Sequence, residues 1–448
     1  MAYVKKVAKT KKKKEISEED SNSKSGKKDL TQSFYDSLKK SGVLGDIKKK
    51  INFISTGSWG LNKAIGDGTH TQSPGGIPRG YITEIYGDEG CGKTTLALHV
   101  ARETQRDGGR VIYADFEHSL RTQFKYIENI GVDINYPMFA HLEPNNFEQG
   151  VKLIGQGLIS LKPSLIIIDS VTSMLPQDAF DADADTEISI GRHAKLTGNF
   201  LNWINKYLEK YDTALILLNQ LRSVIKSSKY DPGPNETTSG GKAPKFFASI
   251  RLKMKVSTKE KISAKSEITG ASEDKTINQM VKVTVEKSKL DIPFNWAPIF
   301  ITFGKGINNI LSIISLAENK NIFKKGSAGW YSWEDPNGKL SFKLQGRHNI
   351  LKHIEEHPEI LEIIKPSLTF TQDVESMKDL KEELESRGVE SLSTEELDTL
   401  KDIKKQLGIS PDEGINKVDL NVDDLEALES LDGLTEKLDN SKNKKDKE

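Results

Sequence analysis

Cysteine is almost missing from this 448-residue chain, with Cys91 as its one thiol. That excludes an internal disulfide framework and any zinc site built from several cysteines, and it fits a reducing compartment. Long apolar runs are missing too. The longest, Leu165–Ile168 and Ala214–Leu218, are strand-sized, whereas a bilayer-crossing helix needs about 20 apolar residues. The lysine-rich start has no apolar stretch behind it, so no signal peptide is expected. Nor is there an excess of either charge, because 65 basic and 65 acidic side chains cancel. What remains is the profile of a soluble intracellular protein. At about 100–200 residues per domain the length accommodates two to four domains, and 29% charged residues leave room for disordered segments.

The zero total hides a segregation. Residues 1–50 carry 15 basic and 7 acidic side chains, and residues 371–448 carry 12 basic and 23 acidic. A basic arm and an acidic tail therefore flank a nearly neutral middle. Charged ends of this kind act as solvated solubilisers, or else the arm meets phosphate and the tail competes with phosphate for the same surface.

Along the chain, residues 1–30 are polar and read as disordered, and 31–50 read as a short amphipathic helix carrying Phe34, Leu38 and Val43. From 51 to about 306, short β-branched segments alternate with helical stretches, the pattern of an α/β domain with a mostly parallel central sheet. The expected strands are Tyr81–Tyr86, Arg110–Asp115, Leu165–Asp169 and Thr213–Asn219, followed by Phe246–Val256, Gln279–Lys287 and Ile299–Phe303. The last three have little helix between them, so the sheet is expected to finish with antiparallel pairing. The polar stretch 257–278 reads as a long hairpin loop. Residues 307–370 read as a small α/β module with clustered aromatics, Trp330, Tyr331 and Trp333. In the acidic extension 371–448, Ser393–Glu396 forms a capping box and Leu425, Leu428, Leu431, Leu434 and Leu438 line one face.

The chemistry concentrates at Gly87, Asp88, Glu89, Gly90, Cys91, Gly92, Lys93 and Thr94, which fit G-x-x-x-x-G-K-[ST]. A strand runs into this loop and a helix from Thr95 to about Thr104 leaves it. Glycines let backbone N–H groups close on phosphate oxygens, and the helix N-terminus adds partial positive charge. Lys93 neutralises phosphate and the Thr94 hydroxyl suits Mg2+. Asp169, ending Leu-Ile-Ile-Ile, has the placement of a carboxylate that holds the metal through water. A hydrolase also needs a carboxylate to orient water; Glu117 is the better placed and Asp115 is the rival.

Further segments point to one class. Ile54–Gly57, Arg79–Gly87, Asp115–His118, Asn219–Gln220 and Glu236–Gly241 occur in the order of the bacterial RecA recombinases, and from about 51 to 370 the chain resembles that family, as a divergent or phage-encoded member. The resemblance implies ATP with Mg2+ as cofactors, Glu117 as the activator of water, and Gln220 as a γ-phosphate sensor. It implies that Lys287 and Lys289 enter the neighbouring subunit's ATP site, as an arginine finger does. Phe124 stands where the family stacks a tyrosine on adenine, and Arg121 replaces a nearby aspartate.

DNA contact is expected from two loops. The second holds Arg222, Lys226, Lys229, Tyr230, Thr237, Thr238, Ser239, Gly240, Gly241 and Lys242, cations, hydroxyls and glycine amides suited to a phosphate backbone. The first, Gln177–Ile190, is rich in aspartate. Its Asp181–Asp185 pattern resembles a calcium loop but has Thr186 at the glycine position and Arg192 at the last ligand position. By the resemblance Ile190 and Gly191 are its DNA neighbours, with Lys195 behind them. The expected function is a DNA-dependent ATPase that forms filaments on single-stranded DNA and pairs it with homologous double-stranded DNA in the bacterial or phage-infected cytoplasm. A single-strand-binding or mediator protein would be recruited through the acidic tail. A ring-forming helicase of the same core and a non-hydrolysing ATP-binding scaffold are the alternatives.

Overall fold

The computed structural model describes residues 25–40, 50–66, 75–177, 190–223, 236–265, 272–336 and 338–368, with scattered positions between 378 and 409. The chain divides into two compact units, Met1–Lys50 and Ile51–Glu448. In the first unit, helix α1 spans Ser25–Lys40. It starts six residues before the expected helix and takes in residues read as disordered, since Lys27, Lys28 and Leu30 are good helix formers whatever their charge. Phe34 is exposed, and Val43 lies outside the described residues.

The second unit begins with β1 (Phe53–Ile54), α2 (Trp59–Ile65), β2 (Ile77–Pro78), β3 (Ile82–Gly87), α3 (Lys93–Arg106) and β4 (Val111–Asp115). Then come α4 (Phe124–Ile130), β5 (Phe139–Leu142), α5 (Phe147–Leu161), β6 (Leu165–Asp169), α6 (Ile190–Tyr211), β7 (Ala214–Ser223) and β8 (Glu236–Thr238). After α7 (Ala243–Phe247) the chain forms β9 (Ile250–Lys265), β10 (Ser272–Ser288), β11 (Trp296–Thr302) and β12 (Gly306–Asn308). The sheet order is β12-β11-β10-β9-β3-β7-β6-β4-β5, with β8 on β7. Pairing is parallel from β9 to β5 and antiparallel from β9 to β12, as the missing helices between the late strands imply.

Strand β6 is buried along its whole length because helices cover both faces, which is why Leu-Ile-Ile-Ile shows no polar alternation. Its side chains still alternate. Leu165 and Ile167 join one core with Leu96 and Ala97 of α3, while Ile166 and Ile168 join another with Ile154 of α5 and Ile204 of α6.

Two expectations change here. Residues 257–278 do not form a loop throughout, because β9 and β10 extend through most of them and pair out to Lys265 and Ser272. Each strand supplies the other's hydrogen bonds, so polar residues with interspersed Thr258, Ile262 and Thr276 remain extended. Residues 246–249 are also not strand. Pro244, in the first turn of α7, carries Phe246 and Phe247 into that helix, and the strand starts at Ile250.

Residues 309–368 form α8 (Asn309–Asn319), β13 (Lys324–Lys325), β14 (Trp330–Trp333), β15 (Phe342–Gln345), α9 (Arg347–Glu356) and α10 (Glu359–Ile364). Their core holds Phe323, Trp333 and Phe342 and includes Phe300 of β11, with Trp59 and Met280 packed on it. Tyr331 and Trp333 are buried there, and of the three clustered aromatics only Trp330 is exposed. The capping box at Ser393–Glu396 and the leucines 425–438 lie outside the described residues. Among the described residues no helix is long and apolar enough to cross a membrane.

Candidate nucleotide and DNA site

The parallel strands deliver the candidate residues to one edge. Register pairs Gly87 with Gln220 across β3 and β7, and Asp115 with Asp169 across β4 and β6. Carboxyl ends of parallel strands form the crevice in which such sheets bind ligands. Two loop glycines are required by geometry. A Cβ on Gly87 would stand 2.2 Å from the Met254 carbonyl oxygen. Gly92, at φ +93°, caps α3 in the left-handed region and would meet the Ile301 side chain at 2.2 Å. From β10, Gln279 Nε2 donates to the Gly90 carbonyl at 3.1 Å and braces the loop from outside.

Lys93 folds back over the loop, its Nζ donating to Asp88 O at 2.8 Å and Gly87 O at 3.0 Å. The Thr94 hydroxyl donates to Asp169 Oδ2 at 3.0 Å, and the Tyr113 hydroxyl donates to the same oxygen at 2.6 Å. Burial pushes the Asp169 carboxyl up to about 6, with the Tyr113 bond opposing and the Glu117 charge reinforcing. Cys91 is buried in the hydrophobic core and its thiol is raised by that burial. A hydroxyl beside a carboxylate offers the hard oxygen ligands that Mg2+ requires, and a flexible ammonium over a glycine loop is the donor set for a triphosphate. These residues fit ATP and magnesium.

Glu117 and Asp115 separate clearly. Asp115 is fully buried and accepts from the backbone N–H of Glu117 at 3.2 Å and of Leu120 at 2.9 Å, with His141 Nε2 at 3.4 Å. It fixes the turn after β4. Glu117 is exposed, and its Oε1 accepts from Ser170 Oγ at 2.5 Å and from Gln220 Nε2 at 3.3 Å. Thr95 Oγ1 is engaged with the Tyr126 hydroxyl at 2.8 Å. Phe124 opens α4 half-exposed, while Arg121 is paired with Glu143.

The residue at the centre is one that sequence reading only touched. Asn219, fully buried, donates from Nδ2 to Glu84 Oε1 and to Ser239 O, both at 2.9 Å. Its Oδ1 accepts from the Ser239 N–H at 3.1 Å and the Gln220 N–H at 2.9 Å. Glu84 is itself buried and ion-paired with Arg251 at 2.6 Å, whose guanidinium lies 4.5 Å from the Tyr86 ring centroid. Glu286 joins this group through Tyr86, Arg251 and Lys253. The motif Asn219–Gln220 was a signal for Asn219, but nothing local marks Ser170, Glu84 or Arg251.

The DNA candidates divide. Gly191 and Lys195 are exposed on the first turns of α6, which starts at Ile190, and Arg222, Gly241 and Lys242 are exposed around the second loop. Thr237 and Ser239 are half-buried. Thr238 and Gly240 are buried, the latter close to Pro244, Val171 and Thr197. Lys226, Lys229, Tyr230 and nearly all of the first loop lie outside the described residues. Lys289 is exposed, whereas Lys287 Nζ donates to Lys245 O at 2.8 Å and Phe246 O at 3.3 Å, at the C-terminal end of α7.

A mixed sheet in which β7 separates the P-loop strand β3 from β6 with its terminal Asp169, all three ending at the same edge, defines a P-loop nucleoside triphosphatase core. Residues 31–308 match the RecA N-terminal domain. Protein RecA of Streptococcus gordonii strain Challis is 34% identical over 317 residues, covering 71% of this chain and 76% of that protein. Protein RecA of Streptococcus pneumoniae strain Hungary19A-6 is 32% identical over 343 residues, covering 74% and 81%. The chain belongs to the RecA family.

Proposed function

We propose that the crevice at the ends of β3, β4, β6 and β7 is the ATP site through which this RecA-family member drives homologous pairing, and that Asn219 and Gln220 couple it to the DNA loop. As a member of that family the chain is a DNA-dependent ATPase and strand-exchange recombinase. The observation that carries the assignment of residues is the convergence on Glu117 Oε1 of Ser170 and Gln220, the latter adjoining the residue that holds Ser239 at the end of the second loop.

Lys93 would release the Gly87 and Asp88 carbonyls to meet phosphate, Thr94 would ligate magnesium, and Asp169 would hold it through water. Bound magnesium supplies charge neutralisation at the phosphates. Glu117, oriented by Ser170, would accept a proton from water, and Phe124 would stack on the base. Gln220 would report occupancy by exchanging its bond to Glu117, and the Asn219–Ser239 bonds would carry that change to Arg222, Gly241 and Lys242. The backbone of single-stranded DNA would be held there and along Ile190, Gly191 and Lys195, leaving base edges free for Watson–Crick reading. Lys289 and a released Lys287 would act on the neighbouring subunit's phosphates, making turnover depend on a helical filament. The acidic tail would engage a mediator or single-strand-binding protein in the cytoplasm of a bacterial or phage-infected cell.

The test is ATP hydrolysis with and without single-stranded DNA, scored together with joint-molecule formation. Stimulated turnover in the native chain and its loss in Lys287→Ala/Lys289→Ala, with ATP binding retained, is the expected result. Equal turnover in the native chain and that double variant would reject the trans assignment.

A further inference from the structure

We propose a second metal site, for a divalent transition ion such as Zn2+, at His353, Glu356 and His357 on the end of α9. One ring nitrogen of each histidine and a Glu356 carboxylate oxygen lie within 4.8 Å of one another. His357 follows α9 directly, and its N–H still bonds to the His353 carbonyl at 2.9 Å. One helical turn therefore separates the rings, whose centroids are 4.8 Å apart. Histidines four apart on one helix face are the spacing with which helices chelate zinc. Four donors around a tetrahedral zinc, at bonds of about 2.1 Å, lie about 3.4 Å apart, so closure takes roughly an ångström of side-chain movement on an accessible helix end.

A further observation points to a ligand. His353 Nε2 is shielded from solvent and has no hydrogen-bond partner, and the ring is fixed edge-on to Phe342 with centroids 5.5 Å apart. A neutral imidazole has one donor and one lone-pair nitrogen, and a coordinated ion sets which is which. Glu359 Oε1 at the start of α10 stands 3.6 Å from His357 Nδ1 but falls outside the group of three, so the fourth zinc position is left to water. An ion here would fix the last turn of α9. The imidazole ligands select zinc or copper over magnesium, so this site is chemically distinct from the oxygen donors at Thr94 and Asp169.

The experiment is calorimetric titration of the full chain with ZnCl2 under excess Mg2+ and without nucleotide, on the native protein and on His353→Gln, His357→Gln and His141→Gln. The last controls for the other group of suitable side chains among the described residues, Asp115, His141 and Glu143. One saturable zinc site, weakened at least about tenfold by His357→Gln and by His353→Gln and unaffected by His141→Gln, is expected. His357 lies at a helix end, so a folded His357→Gln chain by circular dichroism keeps the result interpretable should His353→Gln misfold. Absence of saturable binding, or binding that survives His357→Gln, would overturn the site.

Discussion

Glu117 and Arg251 show two kinds of dependence at the level of single side chains. Glu117 is exposed and held by Ser170 and Gln220, so its replacement should leave the fold alone. Glu117→Gln is expected to lower DNA-stimulated turnover by about 10²–10³-fold with nucleotide binding retained, measured by single-turnover hydrolysis beside fluorescent-nucleotide titration. Arg251 instead balances the buried Glu84. Arg251→Met strands a carboxylate in the core and should cost about 3–5 kcal/mol in urea unfolding, and a loss below about 1 kcal/mol would show that the pair is not an essential charge balance. Lys93, Thr94 and Asp169 could be read from sequence because their neighbours in the chain create their role. Glu84 and Arg251 could not, since 167 residues separate partners that meet only through adjacent strands.

Between elements, α3 is tied to β12 by one histidine. His99 Nε2 accepts the Ile307 N–H at 2.8 Å, and burial, with the charges of Arg102 and Arg106, depresses its pKa to about 3. A histidine so depressed binds fewer protons when folded than when unfolded between about pH 3 and 6.5. Stability from this group is complete above about 6.5 and is lost as the pH falls towards 3. About 2–3 kcal/mol should be lost by pH 4.5, and His99→Gln should flatten that part of the profile in denaturant titrations across pH. A slope unchanged by the substitution would assign the acid sensitivity elsewhere. The same scale explains the corrected hairpin. The sequence of 257–278 has no regular apolar alternation, yet each of β9 and β10 completes the other's hydrogen bonds, an opportunity visible only when the two are paired.

For the molecule as a whole, net neutrality is a sum over opposed ends, with 23 acidic against 12 basic residues beyond 370. If that tail competes with DNA, truncation after Leu368 should speed duplex binding several-fold at low salt, with the gain shrinking as ionic strength rises. Equal stopped-flow association rates for truncated and full chains at every salt concentration would leave the tail a solubiliser. The core of residues 309–368 likewise extends beyond a self-contained module, since Phe300 belongs to it and Trp59 packs on it.

By itself the sequence determined the parallel α/β core, the phosphate loop and the acidic strand end, because each depends on contiguous residues and on a periodicity of two or 3.6. Tertiary structure decided which of Asp115 and Glu117 faces the crevice, that Thr238 and Gly240 are buried, and that Asn219 joins the nucleotide edge to Ser239. Those outcomes depend on which strands become neighbours and in what register. Register arises from packing two helical layers against one sheet, and no single segment of chain encodes it.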